Sequence, residues 1–307
     1  MAEVTAALVK QLREQTGAGM MDCKTALIEA GGDLEAATDW LRKKGLAAAA
    51  KKAGRLASEG LIGVETEGRR AVLVEVNSET DFVARNPDFQ ALVRSIAKLA
   101  LSTGGDLDRL MRATLPESGR SVADEIGQKI AVIGENLSLR RAAAIEVGEG
   151  VVGVYVHGAL APGLGRIGVL IGLQSAGDPQ QLGALGKQLA MHIAAARPLA
   201  VSIDRLESRQ LERERAIYAE QARASGKPDS IVDKIVDGRM RKFYEEVVLL
   251  EQAYVIDPDT KVKAAIERVA ESIGSTITVT GFERFALGEG LAATTTSPEG
   301  GTASTDR

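Results

Sequence analysis

The chain has 307 residues, 45% hydrophobic and 26% charged, with a formal net charge of -4 at pH 7. That balance fits a globular protein with room for about two or three domains, and it argues against a dedicated nucleic-acid binder, which carries a basic footprint. One cysteine, Cys23, excludes an intramolecular disulfide framework, no apolar run approaches a membrane span, and Met1-Ala2-Glu3-Val4-Thr5 lacks a signal-peptide start, so a cytoplasmic protein without membrane contact is expected.

Residues 1–45 read as a three-helix bundle. Val4, Leu8 and Leu12 share one face, Gly17-Ala18-Gly19 breaks the pattern, and Cys23, Ala26, Leu27 and Ala30 form a second stripe. Gly31-Gly32 ends that helix, Asp33 is a natural N-cap, and Leu34, Ala37 and Leu41 form the third stripe. Helices this short need one another's apolar faces. Met20 and Met21 fall in the loop after two glycines, either as core filling or as a soft contact patch. Residues 46–60, rich in Ala, Lys and Gly, read as a connector. Arg42, Lys43, Lys44, Lys51, Lys52 and Arg55 run without an intervening acid. They form either a solvated basic face or a contact for an acidic partner.

Residues 61–147 and 148–290 read as two related core subdomains, because the sequence repeats. Gly60-Leu61-Ile62-Gly63-Val64 parallels Gly150-Val151-Val152-Gly153-Val154, and Arg70-Ala71-Val72-Leu73-Val74 parallels Arg166-Ile167-Gly168-Val169-Leu170. Each copy is a β-hairpin followed by an amphipathic helix, carrying Phe89, Leu92, Val93, Ile96 and Leu99 in the first and Leu182, Leu185, Leu189 and Ile193 in the second. Strand patterns at 137–147 and 276–287 would complete an antiparallel sheet in each copy. The fold class is therefore α+β. Inside the second copy, residues 204–250 read as a helical hairpin. Leu206, Leu211, Ile217 and Tyr218 precede the turn Ser225-Gly226-Lys227-Pro228, and Val232, Val236, Met240, Phe243 and Val247 follow it. The tail, residues 291–307, is expected to be disordered from its Thr-, Ser-, Gly- and Ala-rich composition.

Between strand and helix of the first copy stands Thr80-Asp81-Phe82-Val83-Ala84-Arg85-Asn86. Phe82 there is either a core plug or a binding residue on a rigidly held loop. The second copy has only Ala176-Gly177-Asp178 before Pro179. A scaffold that closes without those residues does not need Phe82 as a plug, which favours a binding loop.

Catalytic chemistry finds little support. Gly163-Leu164-Gly165-Arg166-Ile167-Gly168 matches the spacing of a dinucleotide motif, but a strand follows where that motif needs a helix N-terminus. It reads as a hairpin loop, and no phosphate-binding G-x-x-x-x-G-K-[ST] loop occurs. With His157 and His192 the only histidines and Cys23 on an apolar stripe, a Cys-His nucleophile pair or a zinc cluster is poorly supported. Glu245 and Glu246 read as a solvated helix face. The chain reads as a non-enzyme without cofactor.

Six ordered motifs then carry a resemblance over roughly residues 1–290. They are Thr16-Gly17-Ala18-Gly19-Met20-Met21-Asp22-Cys23-Lys24, Ala50-Lys51-Lys52-Ala53-Gly54-Arg55, Thr80-Asp81-Phe82-Val83-Ala84-Arg85, Met191-His192-Ile193-Ala194-Ala195, Ser225-Gly226-Lys227-Pro228 and Gly238-Arg239-Met240-Arg241-Lys242-Phe243. Together they resemble the bacterial translation elongation factor Ts family, nucleotide-exchange factors for elongation factor Tu. The resemblance implies a ubiquitin-associated-type three-helix bundle followed by a two-part core. It implies that Thr80, Asp81, Phe82 and Val83 insert beside the partner's nucleotide site, Phe82 as a wedge between helices and Asp81 against a switch element, disturbing the bound magnesium. It places further contacts at Leu12, Met20, Met21, His157 and the helix bearing His192, with elongation factor Tu, GDP-bound or nucleotide-free, as the partner. Two departures stand out. Glu251-Gln252-Ala253-Tyr254 replaces a Gly-Gln-Pro-Phe-type stretch, and Leu160-Ala161-Pro162-Gly163-Leu164-Gly165 makes a longer hairpin loop. The rival readings are an RNA- or ribosome-associated protein using the 42–55 basic stretch, and a binder of ubiquitin-like proteins through the three-helix domain.

Overall fold

A computed structural model describes residues 4–226 and 228–291. The disorder expected of the tail concerns residues that, Leu291 apart, lie outside that range. Three helices open the chain: α1 (Ala6–Thr16), α2 (Met20–Glu29) and α3 (Leu34–Lys52). Thr5 caps α1 by accepting from the Leu8 amide, and Gly17 ends it in the left-handed region at φ 68°. Asp33 caps α3 through the Ala36 amide at 2.9 Å. Val9, Leu12, Cys23, Ala26, Leu27, Ala37 and Leu41 form the bundle core.

The helix α3 does not stop at the bundle. Its Ala47-Ala48-Ala49-Ala50-Lys51-Lys52 run, read from sequence as part of a connector, is helical. Alanine and lysine are among the strongest helix formers. The extension also has something to lie against, since Gly45 is buried and close to Ala131.

The first core copy comprises β1 (Glu59–Glu67), β2 (Arg70–Ser78), α4 (Asp81–Ala84), α5 (Pro87–Thr103), α6 (Leu107–Arg112), α7 (Val122–Ile133) and β3 (Leu137–Glu146). Then follow β4 (Gly150–His157), β5 (Leu164–Gly165), β6 (Ile167–Gln174), α8 (Pro179–Ala196), α9 (Ser208–Ala224), α10 (Asp229–Val247), β7 (Ala253–Tyr254), β8 (Asp257–Lys261), α11 (Val262–Ile273) and β9 (Thr278–Ala286). The strands form antiparallel sheets ordered β3-β2-β1-β5 and β4-β6-β9, with a small β7-β8 pair beside them. Each main sheet has the same plan: a hairpin, a helix packed on it, and a late strand added outside the second hairpin strand.

The two sheets face each other. Ile62, Val64, Ala71 and Leu73 meet Leu170 and Phe285 between them. The opposite face of the first sheet, with Leu61, Val72, Val74 and Val76, packs on Phe89, Val93 and Ile96 of α5 and Ile126 and Ile130 of α7. Val169, Ile171 and Leu173 of β6 likewise pack on α8 and α11. The order of layers is helix, sheet, sheet, helix. It explains why Ala71-Val72-Leu73-Val74 is apolar without alternation: both faces of β2 are covered. Where β4 meets α8, Gly153 lies so close that an added Cβ would fall 2.5 Å from the Gly186 Cα.

The hairpin of α9 and α10 has its own core of Ala222, Val232, Val236, Met240 and Phe243. Backbone bonds from Leu199 to Val247 (2.7 Å) and from Leu249 to Ala200 (2.9 Å) tie its two feet together. The 163–168 segment is a loop feeding a strand. It bends back so that β5 pairs with Ile62 and Gly63 of β1, and the longer hairpin loop thus joins the two copies.

Candidate functional site

The site grows out of the junction between β2 and α5. In both copies the helix restarts at an Asx-Pro cap. Asn86 accepts from the Asp88 amide at 2.8 Å ahead of Pro87, and Asp178 accepts from the Gln180 and Gln181 amides ahead of Pro179. Between strand and cap the second copy has Ser175-Ala176-Gly177, whereas the first has residues 79–85. Those added residues are not an irregular loop: Asp81-Phe82-Val83-Ala84 forms the single helical turn α4.

The turn sorts its side chains by face. Val83 and Ala84 are buried in the core of the first copy, while Phe82 is 77% exposed. The plug position belongs instead to Phe89, which is fully buried. Asp81 sits on the first turn of α4, 3.7 Å from Arg85, and both groups are open to solvent. An aromatic ring left open to water beside a carboxylate presents apolar area that a partner groove could cover.

The turn is held from below. The Thr80 amide donates to Glu135 Oε2 at 2.9 Å, and its hydroxyl donates to Glu135 Oε1 at 2.6 Å. Ser78 Oγ donates to the Thr80 carbonyl at 2.9 Å, and Gln90 Nε2 to the Ala84 carbonyl at 3.0 Å. Glu79 accepts from the Asn136 amide at 2.6 Å and faces Arg55 at 3.6 Å. Glu79, Glu135 and Asn136 were not found by sequence reasoning. The contacts span 55 and 57 positions of chain, and a Gly-Glu-Asn turn carries no local sign of them.

The other expected contact residues divide. Met20 and Met21, 51% and 70% exposed, occupy the first turn of α2 rather than a loop. His157 is exposed at the end of β4, its Nδ1 3.2 Å from the Tyr155 hydroxyl. Leu12 and His192, by contrast, are fully buried and present no surface. Leu12 is part of the bundle core. His192 Nδ1 accepts from the Val255 amide at 3.2 Å, so Nε2 carries the proton and donates to Gln252 Oε1 at 2.9 Å. Burial pushes the ring's pKa down, against the opposing Gln252 bond. Gln252 in turn donates to the Glu246 carbonyl at 2.7 Å. His192 therefore fastens α8 to the foot of the hairpin, and the Gln of the altered 251–254 stretch is its partner.

The remaining chemistry is structural. The Cys23 thiol is buried, and burial pushes its pKa up, away from reactivity. Among the described residues no group of three or more His, Cys, Asp or Glu is placed to hold a metal ion, and no helix is long and apolar enough to cross a membrane. A cleft of about 610 Å³ lies between 199–205, α11 and β9, and no residue of α4 lines it. Most of the basic stretch is engaged within the molecule. Arg42 pairs with Asp124, Lys44 with Asp22 and Arg55 with Glu79, and Lys52 Nζ donates to the Gly134 carbonyl at 2.7 Å.

Comparison with known proteins bears on this geometry. Residues 79–289 match the family model described as Elongation factor TS, which begins at the acid just before the exposed turn. Over 291 residues the chain is 59% identical to Elongation factor Ts of Rhizobium leguminosarum bv. trifolii, covering 95% of this chain and 94% of that protein. It is 57% identical to Elongation factor Ts of Rhodospirillum centenum, covering 95% of each, and 58% identical to that of Agrobacterium fabrum, covering 95% and 94%.

Proposed function

The chain belongs to the elongation factor Ts family, with a role in translation elongation, and on that premise we propose that it is a guanine-nucleotide exchange factor that binds elongation factor Tu in the cytoplasm and promotes GDP release. The observation that carries the reading is the exposed Phe82, standing beside Asp81 on a turn that the second copy of the same scaffold lacks.

Phe82 enters between helices of the partner's nucleotide domain, and Asp81 displaces the switch element next to the bound Mg²⁺. The ion demands near-octahedral geometry while bridging phosphate and protein oxygens, so a small displacement weakens GDP binding. Burying one aromatic side chain supplies roughly 1.5–3 kcal/mol, or about 10- to 100-fold in an equilibrium. Wider contacts supply the rest: Met20 and Met21 from the three-helix domain, and His157 from the second copy. Thermodynamics fixes the direction. The factor binds nucleotide-free partner more tightly than GDP-bound partner, and GDP weakens the factor by the same ratio. No chemical step occurs on this chain, which acts only by binding.

The test is release of fluorescent GDP from elongation factor Tu with catalytic amounts of the protein. Acceleration is expected, and its absence with the partner of the same species would overturn the reading. Phe82→Ala is expected to slow release at saturating factor by about 10- to 100-fold, while complex formation weakens less. Because Phe82 is 77% exposed in the free protein, the melting temperature should change little.

A further inference from the structure

We propose that Glu135 is a positioning residue whose carboxylate holds the Asp81-Phe82 turn in the attitude needed for exchange. The inference rests on the exchange reading above.

A helix of one turn cannot hold itself, since forming the first turn fixes several residues for a single hydrogen bond. A threonine at the N-cap ordinarily stabilises such a start by accepting an amide from the helix it opens. Thr80 does not do this. It has the extended backbone of an N-cap, φ -124° and ψ 157°, but its side chain makes no capping bond. Its hydroxyl and its amide both point instead to the two oxygens of Glu135, at 2.6 and 2.9 Å. The direction in which Phe82 leaves the surface is thus set by a carboxylate far away in sequence.

Glu135 is itself well fixed. It follows Gly134, which ends α7 in the left-handed region at φ 87°. The next residue, Asn136, is buried, donates its amide to Glu79 at 2.6 Å, and donates from Nδ2 to the Arg55 carbonyl at 2.8 Å. Glu135 holds Thr80 while Glu79, its neighbour, holds Asn136, so the two segments are stapled in both directions. Lys52 at the end of α3 bonds the Gly134 carbonyl of the same turn. The three residues 134–136 therefore tie together the long helix of the N-terminal domain and the base of the exposed turn. Preorganisation of this kind lowers the ordering cost of binding and fixes the spacing between two contact patches.

The variants are Glu135→Ala, which removes both acceptors, and Glu135→Gln, which keeps one acceptor for the Thr80 amide and offers the hydroxyl a donor. Thr80→Val serves as a second probe should Glu135→Ala fail to fold, because it removes only the hydroxyl bond. Two measurements are made on the full chain: amide hydrogen exchange of the free protein, and GDP release from elongation factor Tu across a factor titration. Glu135→Ala is expected to speed exchange of the Thr80 amide, and of the Arg85 and Asn86 amides that bond back to the Phe82 and Val83 carbonyls, by about tenfold or more with β1 and β2 unchanged. It should also lower the maximal release rate by about tenfold, with Glu135→Gln within about threefold of wild type. A merely structural glutamate would reduce the amount of folded protein but leave the maximal rate per folded molecule intact. Unchanged exchange at those three amides, or an unchanged maximal rate while the wild type accelerates release, overturns the positioning role. Failure of the wild type to accelerate release overturns the exchange reading instead, and the exchange measurement on the free protein then still decides whether the clamp exists.

Discussion

At the scale of single residues, environment decides role. Phe82 and Phe89 are seven positions apart on the same ascent from sheet to helix, yet one is exposed and the other fully buried. Comparison of the two copies already favoured exposure of Phe82, because the second closes without it. His192 shows the converse. The resemblance placed a contact on the helix bearing His192, but Leu189 and Ile193 flank that residue on the inward stripe of α8, and a helix puts residue 192 beside 189 on that face. Its ring is held neutral by burial and by the Val255 amide aimed at Nδ1. Its pKa in the folded protein lies below the ordinary value of about 6.5, so on acidification the unfolded chain takes up the proton first. Stability at this site is complete above about pH 6.5 and declines as the pH falls towards the lowered value. His192→Ala should lower stability at pH 7.5 by about 2–4 kcal/mol and flatten the dependence between pH 7.5 and 5. Urea midpoints across that range check it, and an equally steep curve in the variant would count against a wired neutral imidazole.

At the scale of elements, apolar periodicity carried most of what was legible. The hairpins, α5, α8, the outer strands and the helical hairpin all left stripes or runs that pointed to their type. What escaped was either too short to show a period or stabilised from far away. α4 and β5 are of the first kind, with their bonds made to Glu135 and to β1. The far end of α3 is of the second kind, since its last turns acquire a surface only where α7 is placed beside them. Close approach of elements is equally hidden. Gly153 stood in the sequence only as a member of the repeated strand, yet no side chain fits between it and Gly186. Gly153→Val should force β4 and α8 apart at a cost of about 2–4 kcal/mol, lowering the melting temperature. A variant that melts like the wild type would show that this contact yields easily.

At the scale of the whole molecule, one buried carboxylate joins the copies. Glu75 is 0% exposed and lies at a register shift between β2 and β3, where Arg140 and Arg141 both reach it. It also accepts from the Gly288 amide at 2.9 Å and from Asn77 Nδ2 at 3.1 Å. Arg141 lies 4.2 Å from the ring centre of Phe285 and donates to the Ala286 carbonyl. The end of β9 is thereby fastened to the opposite sheet. Burial alone would raise the Glu75 pKa, but the Gly288 amide, Arg141 and Asn77 outweigh it and leave the group below the ordinary carboxylate value. Its contribution is therefore complete above the unfolded value of about 4.3 and is lost as the pH falls through the lowered one. Glu75→Ala strands two guanidinium groups and should cost about 3–5 kcal/mol at neutral pH. Urea unfolding measures this, and a loss below about 1 kcal/mol would mean that the arginines find other partners or water. None of this was visible in the sequence, where Glu75 is a lone acid following an apolar run. The face-to-face sheets left a better trace: Ala71-Val72-Leu73-Val74 has the continuous apolar run of a strand covered on both sides.

The Asx-Pro caps that restart α5 and α8 bear on how much change the junctions before them can absorb. Each cap begins its helix from its own side chain and ring. The length of chain between strand and cap is therefore free to change while the layers behind it stay packed. The first junction uses seven residues, 79–85, where the second uses three, 175–177, and both deliver the chain to the same kind of cap.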